Sequence, residues 1–144
     1  MKFWDSSALL PLLLEESHSA AVRSIAGEDG QLVVWWGTPL ECRSALARLK
    51  REGILTSADE EDFIALLEEL SSAWVEILAG ENLRKTAARL LMTHPLRAAD
   101  ALQLAAALIW SGMPVDKSEF VCLDSRLREA ARNEGFVVLP KKLD

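Results

Sequence analysis

The sequence predicts an α/β fold in which a parallel β-sheet is covered by helices on both faces. Short apolar runs of the kind found in buried strands alternate with segments of helical periodicity, and turn residues separate them. No repeat or linker divides the chain, and 144 residues are enough to bury a substantial core. We therefore expect residues 1–144 to form a single domain.

The first quarter of the chain predicts a strand, two helices and a second strand. Lys2–Asp5 is a short apolar run that fits a strand, and Ser6–Glu16 follows it as a helix. The segment Ser17–Gly27 begins with a serine suited to an N-cap, which predicts a second helix. Gln31–Trp36 is rich in β-branched and aromatic residues and lies between two glycines, so it predicts a buried strand.

Two further helices are predicted from capping boxes. In Thr38–Glu41 the threonine suits the cap, the proline the first helical position and the glutamate the reciprocal partner, so a helix is expected to about Glu52. The segment Ser57–Glu60 has the same pattern and predicts a helix that ends near Ser72.

The second half of the chain predicts three strands and three helices in alternation. The strands are Trp74–Leu78, Phe120–Leu123 and Phe136–Leu139, and the helices are Glu81–Thr93, Arg97–Ser111 and Ser125–Glu134. Gly112 and Pro114 end the second of these helices, and Gly135 ends the third. The helix over 97–111 is apolar on nearly every face, so we expect it to be buried.

The composition excludes several classes of protein. Half of the residues are hydrophobic and the net charge is −6, which argues against a disordered chain and against a general nucleic-acid binder. The longest apolar stretches are too short to cross a membrane, and no clear cleavage signal follows Met1, so we expect a cytoplasmic protein. Cys42 and Cys122 are expected to be buried reduced thiols, and His18 and His94 to lie at the surface.

Four acids occupy unusual places in this pattern. Asp5 and Asp124 end the first and fourth predicted strands, while Glu41 and Asp100 lie in the first turns of two helices. Each has a purely structural interpretation, because an acid here caps the helix or complements its dipole. Binding sites of parallel sheets, however, gather at the carboxyl ends of the strands.

Taken together, the four acids favour a divalent metal site. If the first and fourth strands are neighbours, Asp5 and Asp124 face the same crevice. Buried carboxylates that lie close together repel one another, and a hard cation such as Mg²⁺ or Mn²⁺ relieves that repulsion. No His adjoins these acids and the cysteines lie in apolar runs, so zinc is not expected. The chemistry that follows is metal-assisted phosphodiester hydrolysis.

The sequence resembles the PIN-domain family, and within it the VapC-type ribonuclease toxins of type II toxin–antitoxin systems. Four segments carry the resemblance and span nearly the whole chain: 4–9 (WDSSAL), 41–49 (ECRSALARL), 96–105 (LRAADALQLA) and 120–127 (FVCLDSRL), the last continuing to Ala130–Ala131 and Gly135–Phe136. The resemblance implies a three-layer α/β/α fold with the parallel strand order 3-2-1-4-5. It also implies endoribonuclease activity.

The resemblance further implies roles for particular residues. The catalytic, metal-binding quartet is Asp5, Glu41, Asp100 and Asp124, with Mg²⁺ or Mn²⁺ as the cofactor and Glu41 acting through water. Ser7 matches a supporting hydroxyl two positions after the first acid. Arg97 and Arg126 flank two of the acids and are candidates for contact with RNA phosphates, with intramolecular ion pairs as the alternative. One residue departs from the family pattern, because Cys122 stands where many relatives have Thr or Ser.

The resemblance also implies partners, namely an RNA substrate, an inhibitory VapB-like antitoxin and a second copy of the chain. Four tryptophans are expected in the core or at that dimer interface: Trp35, Trp36, Trp74 and Trp110. Four bases on the third helix are expected to form a solvated face rather than a binding stripe: Arg43, Arg48, Lys50 and Arg51.

Two other functions compete with the ribonuclease. A phosphoacceptor signalling domain has an acidic pocket on a similar sheet, but it needs paired acids after the first strand, and here Asp5 is followed by a serine. A PIN-like module that has lost catalysis and only binds protein or RNA stays open as the alternative.

Overall fold

The computed structural model describes residues 1–112 and 115–143, which contain a parallel sheet and its covering helices. The strands are β1 Lys2–Trp4, β2 Leu32–Trp35, β3 Val75–Ile77, β4 Glu119–Val121 and β5 Val137–Leu139. The helices are α1 Ser6–Leu13, α2 Ser19–Glu28, α3 Thr38–Arg51, α4 Ser57–Ser71, α5 Glu81–Thr93, α6 Ala98–Ser111 and α7 Ser125–Asn133. The Pro114 stop signal lies outside the described residues.

The five strands form one sheet in the order β3-β2-β1-β4-β5, and every neighbouring pair is parallel. β1 is the central strand, with Phe3 opposite Val33 on one side and Phe120 on the other. The predicted strand order is therefore confirmed. β1 and β4 are neighbours, and so the residues that follow them meet at the carboxyl edge of the sheet.

Alternate side chains of the strands face two separate helical layers. Phe3 and Phe120 stack with ring centroids 5.4 Å apart and pack into a core with α5, α6 and α7. Trp4 and Val121 point the other way and pack against α1, α2, α3 and α4. This alternation follows from the two-residue period of a strand and gives the predicted three-layer α/β/α fold. The expected burial of α6 is also confirmed, since most of its side chains lie in the first core.

Some predicted helix starts are wrong by one or two residues. α2 begins at Ser19 rather than Ser17, because the Ser19 hydroxyl is buried, donates to the Leu14 carbonyl at 2.9 Å and accepts from the Glu16 amide at 2.8 Å. The same contacts end α1 before Glu16. These two hydrogen bonds of Ser19 therefore set the bounds of the loop between α1 and α2.

The two predicted capping boxes also differ from the structure. Thr56, not Ser57, caps α4: its hydroxyl accepts from the Asp59 amide at 3.0 Å, and the Asp59 carboxylate accepts from the Thr56 amide at 2.9 Å. Gly37 caps α3, without a side-chain hydrogen bond. Thr38 and Glu41 form no capping box there.

The histidine prediction is wrong for His94, which is 8% exposed. Its Nε2 lies 2.7 Å from the Glu134 carboxylate, and Arg89 donates to the other oxygen of the same carboxylate at 2.8 Å. Cys42 and Cys122 are free and buried as expected. In the described part of the chain, no helix combines the length and apolar character that a bilayer span requires.

Candidate active site

The four acids singled out from the sequence line one pocket of about 430 Å³ at the carboxyl edge of the sheet. They come from four separate stretches of the chain: Asp5 follows β1, Asp124 follows β4, and Glu41 and Asp100 lie in the first turns of α3 and α6. The topology brings them together, because β1 and β4 are paired and the Asp5 amide donates to the Val121 carbonyl at 3.0 Å.

Asp5 is buried at the floor of this pocket and is only 4% exposed. Its Oδ2 accepts hydrogen bonds from the Ser7 amide at 3.2 Å, from the Ser7 hydroxyl and from the Cys122 thiol at 3.4 Å. No hydrogen-bond donor in the described residues contacts Oδ1. Burial raises the pKa of Asp5, the Ser7 and Cys122 hydrogen bonds oppose that rise, and the charge of Asp100 adds to it. Asp5 also caps α1, so its structural interpretation as a helix cap is confirmed.

The Ser7 hydroxyl ties the first acid to the end of β4. It donates to Asp5 Oδ2 and accepts from the Leu123 amide at 2.9 Å. Cys122 replaces the expected hydroxyl and still contacts the site, because its Sγ donates to Asp5. Burial, together with the Asp5 charge, raises the pKa of the Cys122 thiol well above its usual value. The protonated thiol therefore remains a hydrogen-bond donor.

Glu41 is held by donors from two other elements. Its Oε2 accepts from the Ser6 hydroxyl at 3.0 Å, and its Oε1 accepts from Gln103 Nε2 at 3.0 Å. Burial, followed by the charge of Asp5, raises the pKa of Glu41 to about 7. Because of these contacts, the Glu41 carboxylate faces the pocket and not the start of its own helix. It therefore does not form the predicted capping box.

Gln103 is a site residue that the sequence analysis missed. It is fully buried on α6, one turn after Asp100, and its Nε2 also donates to the Thr38 hydroxyl at 3.1 Å. Its Oε1 has no hydrogen-bond partner among the described residues although it is buried. A glutamine inside an otherwise apolar helix is the signal that would have found it, because a buried amide needs polar partners.

Asp100 lies between an acid and two bases. Its Oδ2 accepts from the Arg97 amide at 3.4 Å. Burial raises the pKa of Asp100, the Arg97 amide opposes the rise, the charge of Asp124 adds to it, and the charges of Arg97 and Arg126 lower it. Both guanidinium groups are therefore close enough to act on Asp100. In the described residues, neither forms an ion pair within 4.0 Å.

Asp124 is exposed and caps α7 by accepting from the Leu127 amide at 3.0 Å. Beneath it lies Arg128, a second residue that the sequence analysis missed. Arg128 is 3% exposed and donates to the carbonyls of Cys122 and Pro140, each at 2.7 Å. It thereby fixes the carboxyl ends of β4 and β5, next to the acid pocket.

The pocket atoms that could bind a metal ion are carboxylate and hydroxyl oxygens, and oxygen ligands suit a hard cation. In the part of the chain that the structure describes, no three His, Cys, Asp or Glu side chains form a group that could hold a metal ion by themselves. Mg²⁺ usually retains several waters and takes one or two carboxylates, so it does not need such an enclosure. The residues therefore fit Mg²⁺ or Mn²⁺ bound partly through water.

The fold and the pocket define a PIN-like α/β domain with an acidic site, and comparison with known structures agrees. The chain shares its fold with FitAcB from Neisseria gonorrhoeae (TM-score 0.66, 15% identity, 98% of both chains). It also shares the fold of FitAB bound to an IR36 DNA fragment (TM-score 0.69, 16% identity, 100% of this chain and 98% of that one). A toxin–antitoxin complex from Klebsiella pneumoniae is similar too (TM-score 0.61, 15% identity, 88% of both chains).

Sequence comparison then identifies the family. The chain is 31% identical, over 99% of its own length and 96% of theirs, to Ribonuclease VapC45 from Mycobacterium tuberculosis (strain CDC 1551 / Oshkosh) and to Ribonuclease VapC49 from M. tuberculosis (strain ATCC 25618 / H37Rv). The chain matches no protein-family model. It belongs to the VapC family of PIN-domain proteins.

Proposed function

We propose that this protein is a VapC-like endoribonuclease toxin that hydrolyses RNA phosphodiester bonds with Mg²⁺ or Mn²⁺ as its cofactor. The observation that carries the proposal is the convergence of four carboxylates from distant segments in one pocket. The full-length relatives of the chain are named as ribonucleases, which supports the same activity. Carboxylates gathered in this way repel one another, and a divalent cation relieves the repulsion.

Each acid has its own part in this proposal. Asp5, Asp100 and Asp124 would be the metal ligands, one or two of them in direct contact and the rest through water, and Glu41 would act through a water molecule. The bound cation would polarise the phosphate, lower the pKa of the attacking water and stabilise the leaving oxygen. No covalent nucleophile from the protein is required.

The surrounding side chains keep the acids in place. Ser7 and Cys122 occupy Oδ2 of Asp5, which leaves Oδ1 for a ligand. On the other side, Ser6 and Gln103 restrain the two oxygens of Glu41. Side chains held in this way do not have to reorganise when substrate arrives, and such preorganisation is a main source of rate enhancement.

The direct test is cleavage of a mixed RNA pool by the pure protein in Mg²⁺, in Mn²⁺ and in EDTA. We expect cleavage only with a divalent cation, and its loss in Asp5→Asn and in Asp100→Asn. Asp116→Asn is the matched control, because Asp116 is exposed and lies outside the pocket. Metal-dependent cleavage that survives both pocket substitutions would remove this site from the mechanism.

One observation favours a second function. The acids do not form a group that could enclose a metal ion by themselves in the described residues. This suits a catalytically weak or inactive PIN-like module that binds protein or RNA. RNA binding without cleavage in any of the tested metals would select this alternative.

We also propose two protein partners, in the cytoplasm. Structures that share this fold include a toxin–antitoxin complex, which supports a cognate VapB-like antitoxin that binds and inhibits this chain. A homodimer is supported by exposed apolar side chains, since Trp36, Leu40 and Leu78 are each more than half exposed. Three measurements test these partners: co-purification with any short protein encoded beside this chain, loss of RNA cleavage in such a complex, and light scattering of the free protein.

A further inference from the structure

Arg48 differs from the other bases of α3 in that its side chain lines the acid pocket. Of the lining residues in the described part of the chain, it is the only base. Glu41, Ser44 and Arg48 are spaced three and four residues apart and all line the pocket, so they share one face of the helix. Arg48 is exposed, as expected for a solvated basic face, and it also lines the acid pocket.

The contacts of the neighbouring bases differ from those of Arg48. Arg43 pairs with Glu68 and Lys50 pairs with Glu60, each at 3.2 Å, so both reach across to α4. Arg48 has an ion pair only with Glu52, at 4.0 Å, among the described residues, and both side chains are more than half exposed. An exposed pair of this kind contributes little and is readily exchanged. The Arg48 guanidinium is therefore available to a ligand that enters the pocket.

Two further bases adjoin the acids of α6 and α7: Arg97 is the N-cap residue of α6, and Arg126 lies in α7 two residues after Asp124. Arg97 and Arg126 act on the charge of Asp100, which lines the pocket from α6. The acids thus have cationic side chains on the α3 side and on the α6–α7 side. The acids repel the phosphates of an approaching polyanion. Bases beside the acids attract the neighbouring phosphates of the same strand and so offset this repulsion.

We propose that Arg48 binds a backbone phosphate of the RNA on the α3 side of the pocket, beside the phosphodiester that is cut. This inference rests on the proposed ribonuclease function. A guanidinium is planar, always charged and able to bind phosphate through two hydrogen bonds. A phosphate contact carries no sequence information, so Arg48 contributes to the affinity for RNA of any sequence.

The test measures binding of a short fluorescein-labelled single-stranded RNA across a salt series in Mg²⁺. The Asp100→Asn background prevents cleavage during the measurement. We expect Arg48→Ala to weaken binding by roughly threefold to tenfold and to reduce the slope of log Kd against log salt by about 0.7, the value for one lost phosphate contact. Arg48→Lys keeps the charge and should restore most of that slope. Arg51→Ala is the control, because Arg51 is exposed on the same helix but does not line the pocket.

A kinetic readout separates binding from a structural role. In the otherwise native chain, Arg48→Ala should raise KM by a similar factor and leave kcat nearly unchanged, with the circular dichroism spectrum preserved. Equal behaviour of Arg48→Ala and Arg51→Ala, while the native protein still binds and cleaves RNA, would overturn the assignment of Arg48 alone. A native protein that neither binds nor cleaves RNA would overturn the proposed function, and the Arg48 assignment with it.

Discussion

Removing the charge of Glu41 should stabilise the metal-free protein at alkaline pH. The raised pKa of Glu41 means that the folded state binds this proton more tightly than the unfolded chain does. The stability linked to that proton is complete below pH 4.5 and is lost as the pH rises to about 7. Above that pH the ionised carboxylate destabilises the fold, and Glu41→Gln avoids this cost.

The structure sets the size of the effect. A pKa that rises from 4.5 to about 7 corresponds to about 3.4 kcal/mol, since each pKa unit is worth about 1.4 kcal/mol. Glu41 is only partly buried, so solvent screens this value, and we expect about 1–2 kcal/mol. The amide side chain introduced by Glu41→Gln can keep both neighbours, because its oxygen can accept from Gln103 and its nitrogen can donate to the Ser6 hydroxyl.

The assay is thermal and urea unfolding of both proteins in EDTA, near pH 5 and at pH 8. The variant should be more stable than the native chain at pH 8, by roughly 3–8 °C in Tm, with a clearly smaller difference near pH 5. Mg²⁺ or Mn²⁺ should then stabilise the native chain more than the variant, since a ligand of the folded state raises its stability. Glu61→Gln, at an exposed position on α4 outside the pocket, should change neither quantity.

A variant that is less stable than the native chain at pH 8 in EDTA would refute the reasoning. So would a difference that does not depend on pH. Either result would mean that the ionised Glu41 carboxylate does not destabilise the metal-free protein.

Substitutions at three further positions test the supports of the site and the core. Gln103→Leu removes the donor to Glu41 and should lower kcat roughly tenfold to a hundredfold with the fold retained, in a cleavage assay followed by circular dichroism. Cys122→Ser keeps a hydrogen-bond donor to Asp5 and should preserve cleavage. Cys122→Ala removes that donor and should raise the metal concentration needed for half-maximal cleavage rate. If both variants need the same metal concentration, the donor has no role. Leu104→Ala empties a fully buried position and should cost about 2–5 kcal/mol in urea unfolding; a loss below about 1 kcal/mol would contradict its place in the core.

The fold was predictable because the strands and helices differ in period and length along the chain. The apolar runs of β1 and β4 and the nearly all-apolar α6 define buried elements without reference to any partner. The strand order came from the family resemblance, and the pairing of β1 with both β2 and β4 agrees with it.

Helix starts were less predictable because tertiary contacts choose among neighbouring polar residues. Ser17 is a suitable cap in the sequence, but His18 is the N-cap residue of α2 and makes no side-chain cap hydrogen bond, while the Ser19 hydroxyl donates to the Leu14 carbonyl. Similarly, Thr38 and Glu41 have the spacing of a capping box, but both side chains bind the Gln103 amide instead.

The meeting of Asp5 and Asp124 was predictable from position once the family resemblance made β1 and β4 neighbours, and the grouping of all four acids in one site was implied by the same resemblance. Their roles in catalysis and metal binding stay predictions. A glutamine inside an apolar helix points to Gln103 itself but not to its partners Thr38 and Glu41, which are distant in sequence. The contacts of Arg128 with the ends of β4 and β5 depend on how those two strands pair. The helical spacing of Arg48 from Glu41 distinguishes it from Arg51 in the sequence, but its place in the pocket wall is visible only in the fold.

The most direct measurement of the central claim is the anomalous scattering of Mn²⁺ in crystals grown with that ion. We expect a peak in the acid pocket, within roughly 2.2 Å of at least one carboxylate oxygen and linked to the others by water. The peak should disappear in Asp100→Asn. A pocket without a peak at saturating Mn²⁺, or an ion bound elsewhere while RNA is still cleaved, would contradict the central claim.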